Sequence, residues 1–432
     1  MKKVAFQTLG CRLNQMESEA LASDFIRAGY EVVDFDAEAD VYIINTCTVT
    51  NKAERKSRNQ VNRADRHNTL TVVTGCSVNG GGFNDDSARI LVSNEMKPRL
   101  FELIDSRLRG EDLSFDLPPD TFAYHMPEGV FRTRAAVKIQ DGCDSFCSYC
   151  IIPQVRGAAR SRSPEEIIEF TDNLINDGFR EIVLTGVNIG RYQSGGLDFT
   201  GLLKLLLERS GDYRIRISSL EPYGLDDEFY KLFSHSKLCS HLHLCLQSGS
   251  DRILESMSRG YILQDFSDIA SRIRQYCPDF CLTTDIIAGF PGETEEDFAK
   301  SLGAVRDLKI SHVHAYPFSL RNGTAAEDYK DHIDEKVKTS RMKELAAVAL
   351  DIKRMYRGSF IGKTMIVLSE KKISEGLYSG SSQYYGEVRF RADNAELNMF
   401  YQVKIEKIED AGGDIVYAGT AEGLYSYDLT TR

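Results

Sequence analysis

The fold is most constrained by a strand-then-helix rhythm in which the strand is apolar on both faces. Val41-Tyr42-Ile43-Ile44 is a continuous apolar run, and residues 70–73 repeat it. Runs this short and this apolar read as strands covered on both sides. Around them the pattern predicts strands at 4–9 and 31–35 and a short apolar run at Val92. Helices are predicted over 17–28 (ended by Gly29), 52–66 and 97–108. Alternation of this kind predicts a doubly wound parallel α/β sheet for a first domain, residues 1–110.

The remainder divides into three parts. Residues 111–134 carry Pro118, Pro119 and Pro127 with little periodicity and read as a linker. Over 135–350 the rhythm resumes, with strands predicted at 136–139, 181–184, 214–218, 241–246, 282–287 and 312–316. Helix starts are marked by Ser163-Pro164-Glu165-Glu166 and by Thr294-Glu295-Glu296-Asp297. Six such units imply a partial, TIM-like (β/α)6 barrel with its functional groups at the carboxyl ends of the strands. Over 357–425, short strands at 365–368, 386–390, 400–408 and 414–418 between glycine-bearing turns predict a small β-barrel.

Of the 432 residues, 42% are hydrophobic and 27% charged, the balance of a globular protein. No apolar run is long enough to cross a bilayer, so no membrane partner is expected. The opening Met1-Lys2-Lys3-Val4-Ala5-Phe6 lacks a long apolar core and a cleavage site, so a cytoplasmic location without a signal peptide is expected. A net charge of −11 argues against indiscriminate nucleic-acid binding and leaves room for a local basic face.

Ten cysteines in a reducing compartment are expected as thiols. Three lie in Asp141-Gly142-Cys143-Asp144-Ser145-Phe146-Cys147-Ser148-Tyr149-Cys150, a C-x3-C-x2-C loop after the first barrel strand. Three thiolates on one loop can hold three irons of a cubane and leave the fourth open. Structural zinc takes four ligands, and no nearby Cys or His completes such a set. A redox C-x-x-C at Cys147 and Cys150 would leave Cys143 unexplained.

Three more cysteines each follow a predicted strand: Cys11 after 4–9, Cys47 after 41–44 and Cys76 after 70–73. In a parallel sheet the carboxyl ends share one edge, so these thiols converge if the strands are neighbours. The other four, Cys239, Cys245, Cys277 and Cys281, are expected as small buried hydrophobes.

The C-x3-C-x2-C loop resembles the signature of the radical S-adenosylmethionine superfamily, including the aromatic Tyr149 before the last cysteine. The resemblance implies a [4Fe–4S] cluster whose open iron binds S-adenosylmethionine and cleaves it to a 5′-deoxyadenosyl radical. It also implies cofactor contacts from strand-end turns: Thr185 and Gly186, Ser218 and Glu221, and Gln247, with Gly289-Phe290-Pro291-Gly292 as a further turn.

With the second triad the likeness extends over nearly the whole chain to the methylthiotransferases. Their domain order ends in a small RNA-binding β-barrel, the TRAM domain. Thr8-Leu9-Gly10-Cys11-Arg12-Leu13-Asn14-Gln15, Asn45-Thr46-Cys47-Thr48-Val49-Thr50-Asn51-Lys52, Lys138-Ile139-Gln140-Asp141-Gly142-Cys143 and Ile151-Ile152-Pro153 with Arg156-Gly157 are most similar to the subgroup that modifies N6-threonylcarbamoyladenosine beside the tRNA anticodon.

The resemblance implies a second [4Fe–4S] cluster on Cys11, Cys47 and Cys76 that carries sulfur. It also implies an electron donor such as flavodoxin or ferredoxin, and a sulfur donor. Arg321, in Tyr316-Pro317-Phe318-Ser319-Leu320-Arg321-Asn322-Gly323-Thr324, is implied as a substrate contact. Ser77-Val78-Asn79-Gly80-Gly81-Gly82 departs from the tyrosine–alanine–glutamine run of relatives, and the C-terminal barrel is slightly acidic.

The implied reaction replaces the hydrogen on adenine carbon 2 with a methylthio group. That hydrogen is too weakly acidic for general acid–base catalysis, which favours a cofactor-borne radical. Transfer RNA needs cations. Three groups are candidates: Lys52, Arg55, Lys56, Arg63 and Arg66; Arg132, Arg134, Arg156, Arg160 and Arg162; and Lys353, Arg354, Arg357 and Lys363. Tyr384 and Tyr385 read as strand or core tyrosines ahead of base-stacking residues. Two alternatives stay open: a methylthiotransferase acting on a ribosomal protein side chain, and a non-catalytic iron–sulfur RNA-binding or redox-sensing protein.

Overall fold

The computed structural model describes residues 1–83, 89–111, 120–125 and 133–428. Most of the expected linker, with Pro118, Pro119 and Pro127, lies outside the described residues, as does Arg132. The chain forms two compact units. One comprises Met1–Phe131, Lys138–Arg162 and Ser319–Glu327; the other comprises Arg132–Val137, Ser163–Phe318 and Asp328–Arg432.

The first unit is built on five parallel strands: β1 (Lys3–Thr8), β2 (Glu31–Val33), β3 (Val41–Thr46), β4 (Leu70–Gly75) and β5 (Arg89–Val92). Their order is β2-β1-β3-β4-β5. This is a doubly wound arrangement whose strand order reverses between β1 and β3, the place where such sheets bind ligands. Every residue of β3 is buried, as its apolar run requires. One face packs Val4, Ile43 and Val72 against Leu21, Phe25, Leu100 and Ile104. The other packs Ala5, Tyr42, Ile44 and Val73 against Val61 and Ala64. The helices are α1 (Arg12–Arg27), α2 (Asn51–Asp65), the four-residue α3 (Cys76–Asn79) and α4 (Leu100–Leu108).

Helix α1 begins five residues before the expected position. Its N-cap is Cys11, whose side chain makes no capping hydrogen bond, so no Ser, Thr, Asp or Asn marks the start. The helix is anchored by tertiary contacts: Asn14 Nδ2 donates to Leu9 O (2.8 Å) and Thr46 O (3.0 Å).

The second unit contains two parallel three-stranded sheets. One orders Arg214–Ile217, Glu181–Thr185 and Arg134–Lys138; the other orders His241–His243, Cys281–Ala288 and His312–Pro317. Parallel bridges at Ile215–Leu238 and Leu220–Leu244 link the two, so six strands follow one another in chain order. Helices Pro164–Asn176, Phe199–Leu207, Leu263–Tyr276 and Glu295–Asp307 separate them. Both expected helix starts are capped by the hydroxyl, Ser163 accepting from Glu166 N–H and Thr294 from Asp297 N–H.

The 24-residue helix Glu335–Gly358 leads to a closed five-stranded barrel of Thr364–Ser374, Leu377–Ser382, Glu387–Arg391, Asp414–Tyr425 and Phe400–Ala411, in that order. The strand Leu377–Ser382 was not expected, because Leu-Tyr-Ser-Gly-Ser-Ser reads as a turn. Its Gly380 has a structural reason: a Cβ there would collide with Leu368 O on the neighbouring strand.

Glu181, at the amino end of its strand, accepts from Arg214 Nε (2.6 Å) and Arg216 Nε (2.7 Å), all three fully buried. The same guanidinium groups donate to Ile366 O, Ser381 O and Ser382 O of the small barrel. This network fastens the small barrel to the amino ends of the parallel strands, opposite the carboxyl ends where function is expected.

Candidate functional site

All six motif cysteines belong to the first unit. Strands β1, β3 and β4 are neighbours, with Thr8 beside Asn45 and Thr46 beside Gly75. Cys11, Cys47 and Cys76 therefore follow the carboxyl ends of three adjacent parallel strands. Cys47 and Cys76 are buried and Cys11 is exposed. Gly10 permits the approach of the first two segments: a Cβ on it would lie 2.8 Å from Cys47 Cβ and 3.0 Å from its Sγ, at a φ of +101°. Cys11 caps α1 and Cys76 opens α3, so both thiols stand at helix amino ends. Burial pushes the Cys47 thiol up to about 11. Bound metal reverses that preference, because it demands the thiolate.

Cys143, Cys147 and Cys150 share one loop. Cys150 N–H donates to Cys147 O (2.9 Å), and Cys143 N–H to Gly157 O (3.1 Å). Gly142, at φ +70°, lies so close to Ala158 O that no side chain fits. Tyr149 sits half-buried in the loop. Val155 of the following helix, Ile152–Arg156, and Ile151 just before it pack against Cys76. Thus the loop and the sheet-edge thiols meet in one unit.

Behind them lies a buried polar network that the sequence reading missed. Glu17 accepts from Lys97 Nζ (2.7 Å), Lys138 Nζ (3.1 Å) and Arg156 Nη1 (3.1 Å). Arg156 also donates to Asp141 Oδ1 (3.1 Å) and Asn14 Oδ1 (2.7 Å), and Lys138 reaches Asp141 Oδ2 (2.7 Å). Against the burial that disfavours its charge, these three cations hold Glu17 well below the usual carboxylate range. Three cations meet two anions, which leaves one positive charge in excess. Arg156 stands near the Cys11 thiol and offsets part of the burial that raises it. Four members, Asn14, Lys138, Asp141 and Arg156, stand inside the family-like motifs. Their partners Glu17 and Lys97 carried no local signal, since burial of a charge cannot be read from its neighbours in sequence.

Several basic residues are placed differently from expectation. Arg156 is buried in this network, Arg160 is paired with Glu95 (2.9 Å) and Arg134 with Glu370 (2.8 Å). In the second cationic group Arg156 is thus withdrawn from the surface, while Arg134 stays exposed and Arg160 partly so. In the third, Lys353 and Arg357 are buried against Asp414, whereas Arg354 and Lys363 are exposed and pair with Asp410 and Asp279. The first group is exposed along α2, with Arg63 paired to Asp36. Tyr384 packs on Phe360 in the barrel core and Tyr385 stacks on His241 at 4.4 Å.

Arg321 is also buried. It donates to Asn51 Oδ1 (2.6 Å) and Thr48 Oγ1 (2.5 Å) and pairs with Glu54. Its charge is answered inside the protein, so it shapes the wall of the site and does not offer a free cation to substrate.

That wall belongs to a cleft of about 480 Å³. Among the described residues it is lined by the start of α2, Ser77, Gly80–Gly82, Ile151 and Arg321-Asn322. It opens beside the segments that carry Cys47, Cys76 and Cys150. Its size suits a nucleoside-scale ligand.

In the second unit, Thr185 ends its strand and is buried, with Gly186 next. Ser218 follows Arg214–Ile217, and its buried Oγ has no partner among the described residues. Glu221 is pinned by Asn188 Nδ2 (3.1 Å), Arg259 Nη2 (2.8 Å) and Tyr223 OH. Gln247 adopts φ +70° and exchanges backbone hydrogen bonds with Asp285 O and Ile287 N–H. Cys239, Cys277 and Cys281 are buried as expected. Cys245 is only half-buried and groups with His243 and Asp285, ligand atoms within 4.8 Å of one another.

Comparisons with known proteins show the family. Residues 137–305 match the Radical SAM superfamily, and residues 3–85 match the uncharacterized protein family UPF0004. Threonylcarbamoyladenosine tRNA methylthiotransferase MtaB of Bacillus subtilis is 36% identical over 446 residues, 94% of this chain and 94% of its own length. Its Thermotoga maritima counterpart is 36% identical over 436 residues, 98% and 99% of the two chains. The chain belongs to the radical SAM tRNA methylthiotransferases.

Within this methylthiotransferase family it is also 31% identical to the tRNA-2-methylthio-N(6)-dimethylallyladenosine synthase of Acetivibrio thermocellus, over 94% of this chain and 89% of that one. The fold is similar to that of the radical S-adenosylmethionine methyltransferase TsrM from Kitasatospora setae: TM-score 0.55 at 15% identity, covering 75% and 77% of the two chains. Among the described residues no helix of this methylthiotransferase is long and apolar enough to cross a membrane.

Membership in the superfamily implies a [4Fe–4S] cluster and S-adenosylmethionine. The residues present fit the cluster: one loop offers three thiols and, among the described residues, carries no further cysteine or histidine. In the second unit the buried Ser218 Oγ at a strand end has no hydrogen-bond partner among the described residues.

Proposed function

We propose that this methylthiotransferase places a methylthio group on carbon 2 of N6-threonylcarbamoyladenosine beside the tRNA anticodon. Cys143, Cys147 and Cys150 hold the radical-generating cluster, and Cys11, Cys47 and Cys76 hold an auxiliary cluster that carries the sulfur. The single observation that carries this reading is that both cysteine triads belong to one compact unit, one on a loop and one at the ends of β1, β3 and β4. Relatives 36–37% identical over nearly their whole length and named for threonylcarbamoyladenosine support the choice of base.

When bound, the cluster and S-adenosylmethionine supply the oxidising radical that the unreactive aromatic C–H requires. The protein's own contribution is positional. Gly10 and Gly142 let two backbone segments close around the thiols. Glu17, Asp141 and Arg156 fix the loop to α1. The strand-end groups Thr185, Gly186, Ser218 and Gln247, with Tyr149, are the contacts for S-adenosylmethionine, and Glu221 is held in place by Arg259. The tRNA meets the exposed cations of α2.

The test is nucleoside mass spectrometry of tRNA from cells with and without the gene. Its loss should leave threonylcarbamoyladenosine and abolish the 2-methylthio form. An unchanged 2-methylthio level would remove this substrate, and loss of the dimethylallyl counterpart instead would reassign it.

A further inference from the structure

The cleft beside the auxiliary triad carries an unbalanced charge. Among its described lining residues are three arginines, Arg55, Arg58 and Arg321, and one acid, Glu54. Glu54 is shared: Arg58 Nη2 bonds its Oε1 at 2.5 Å, and Arg321 pairs with its Oε2. Arg55 is exposed and forms no ion pair with any described residue. Two positive charges are thus left over in a polar concavity, the signature of a site for an anion.

The opposite wall explains the departure at Ser77–Gly82. Gly80, Gly81 and Gly82 bring backbone rather than side chain to the cleft. Gly81 stands at φ +69°, and a Cβ built on it meets nothing within 4 Å. The amides of Gly80, Gly81 and Gly82 are bonded to Cys76 O, Val78 O and Ser77 O, so the loop is braced by its own hydrogen bonds. The run therefore makes room without supplying charge, and the anion must be met from the α2 side.

We propose that this cleft seats the threonylcarbamoyl chain of the modified adenosine and that Arg55 receives its carboxylate. The inference rests on the substrate reading above and adds its means of recognition. That base differs from plain adenosine, and from one bearing a dimethylallyl group, by a carboxylate. A guanidinium without an internal partner discriminates on that feature, whereas Arg321, neutralised by Glu54, cannot. Arg58 supports the wall through Glu54 and raises the local potential.

The experiment measures binding of anticodon stem-loop RNAs to the anaerobically reconstituted protein by fluorescence anisotropy. Three RNAs are compared: one with threonylcarbamoyladenosine, one with its carboxylate converted to the amide, and one with adenosine. Wild type should bind the first about tenfold more tightly than the other two. Arg55→Gln should erase that preference. Arg66→Gln, at the cap just past the same helix and outside the cleft, should weaken all three RNAs equally and keep the preference. If wild type does not distinguish threonylcarbamoyladenosine from adenosine, the substrate reading fails and this inference with it. If wild type prefers the modified base but treats the amide alike, or if Arg55→Gln keeps the full preference, the substrate reading stands and the role of Arg55 is refuted.

Discussion

Charges buried at two points do different work. Around Glu17 three cations and two anions lie behind the thiols of the first unit and tie the C-x3-C-x2-C loop to α1. Around Glu181 two arginines meet one carboxylate at the amino end of the parallel strands, and their remaining donors reach barrel carbonyls, so the network supports assembly of the second unit. Arg214 and Arg216 outweigh burial and hold the Glu181 carboxyl far below the usual range. Glu181→Gln leaves two buried guanidinium groups without their anion and should destabilise the second unit by about 3–5 kcal/mol. Because the folded-state pKa is depressed, the carboxylate's contribution is complete above about pH 4.3 and fades as pH falls below it. Denaturant unfolding at pH 7 and pH 4 checks both statements: the wild type should lose stability on acidification more steeply than the variant. Neither network was legible from sequence, since Glu17 and Glu181 look like any acid near a helix or strand start. Only the fold reveals which cations meet them.

At the scale of elements, the strands were legible wherever an apolar run recorded burial on both faces. All six barrel strands lie within two residues of their expected starts, and β3 and β4 fall where their runs stand. Elements held by backbone contacts or tertiary anchors were hidden. Strand Leu377–Ser382 is serine- and glycine-rich because it packs close against Leu368, and α1 starts at a cysteine because Asn14 ties it to two strand ends. The same logic applies to the C-x3-C-x2-C loop. Gly142 combines a positive φ with the Ala158 carbonyl pressed against its α-carbon, so Gly142→Ala should displace the loop while leaving the sheet intact. Anaerobic reconstitution of this variant should give about half the wild-type iron with an unchanged far-ultraviolet circular dichroism spectrum. Full iron content would show that the loop tolerates the side chain.

Across the whole molecule, the sequence disclosed the two triads because each cysteine occupies a fixed place after a strand. Their meeting in one unit depended on β1, β3 and β4 being neighbours, which spacing alone does not dictate. The cationic surfaces were less legible. Of the three sequence clusters the one on α2 is exposed at all five positions, whereas the other two lose Arg156, Lys353 and Arg357 to buried pairs with Glu17, Asp141 and Asp414. The account as a whole depends on six thiols binding two separate clusters, each through three of them. Its most direct test is iron and sulfide analysis with Mössbauer spectroscopy on anaerobically reconstituted wild type and two triple variants, one lacking Cys11, Cys47 and Cys76 and one lacking Cys143, Cys147 and Cys150. The prediction is about eight irons in the wild type and about four in each variant, all as [4Fe–4S]. A wild type holding only four, or a triple variant retaining the wild-type complement, would contradict it.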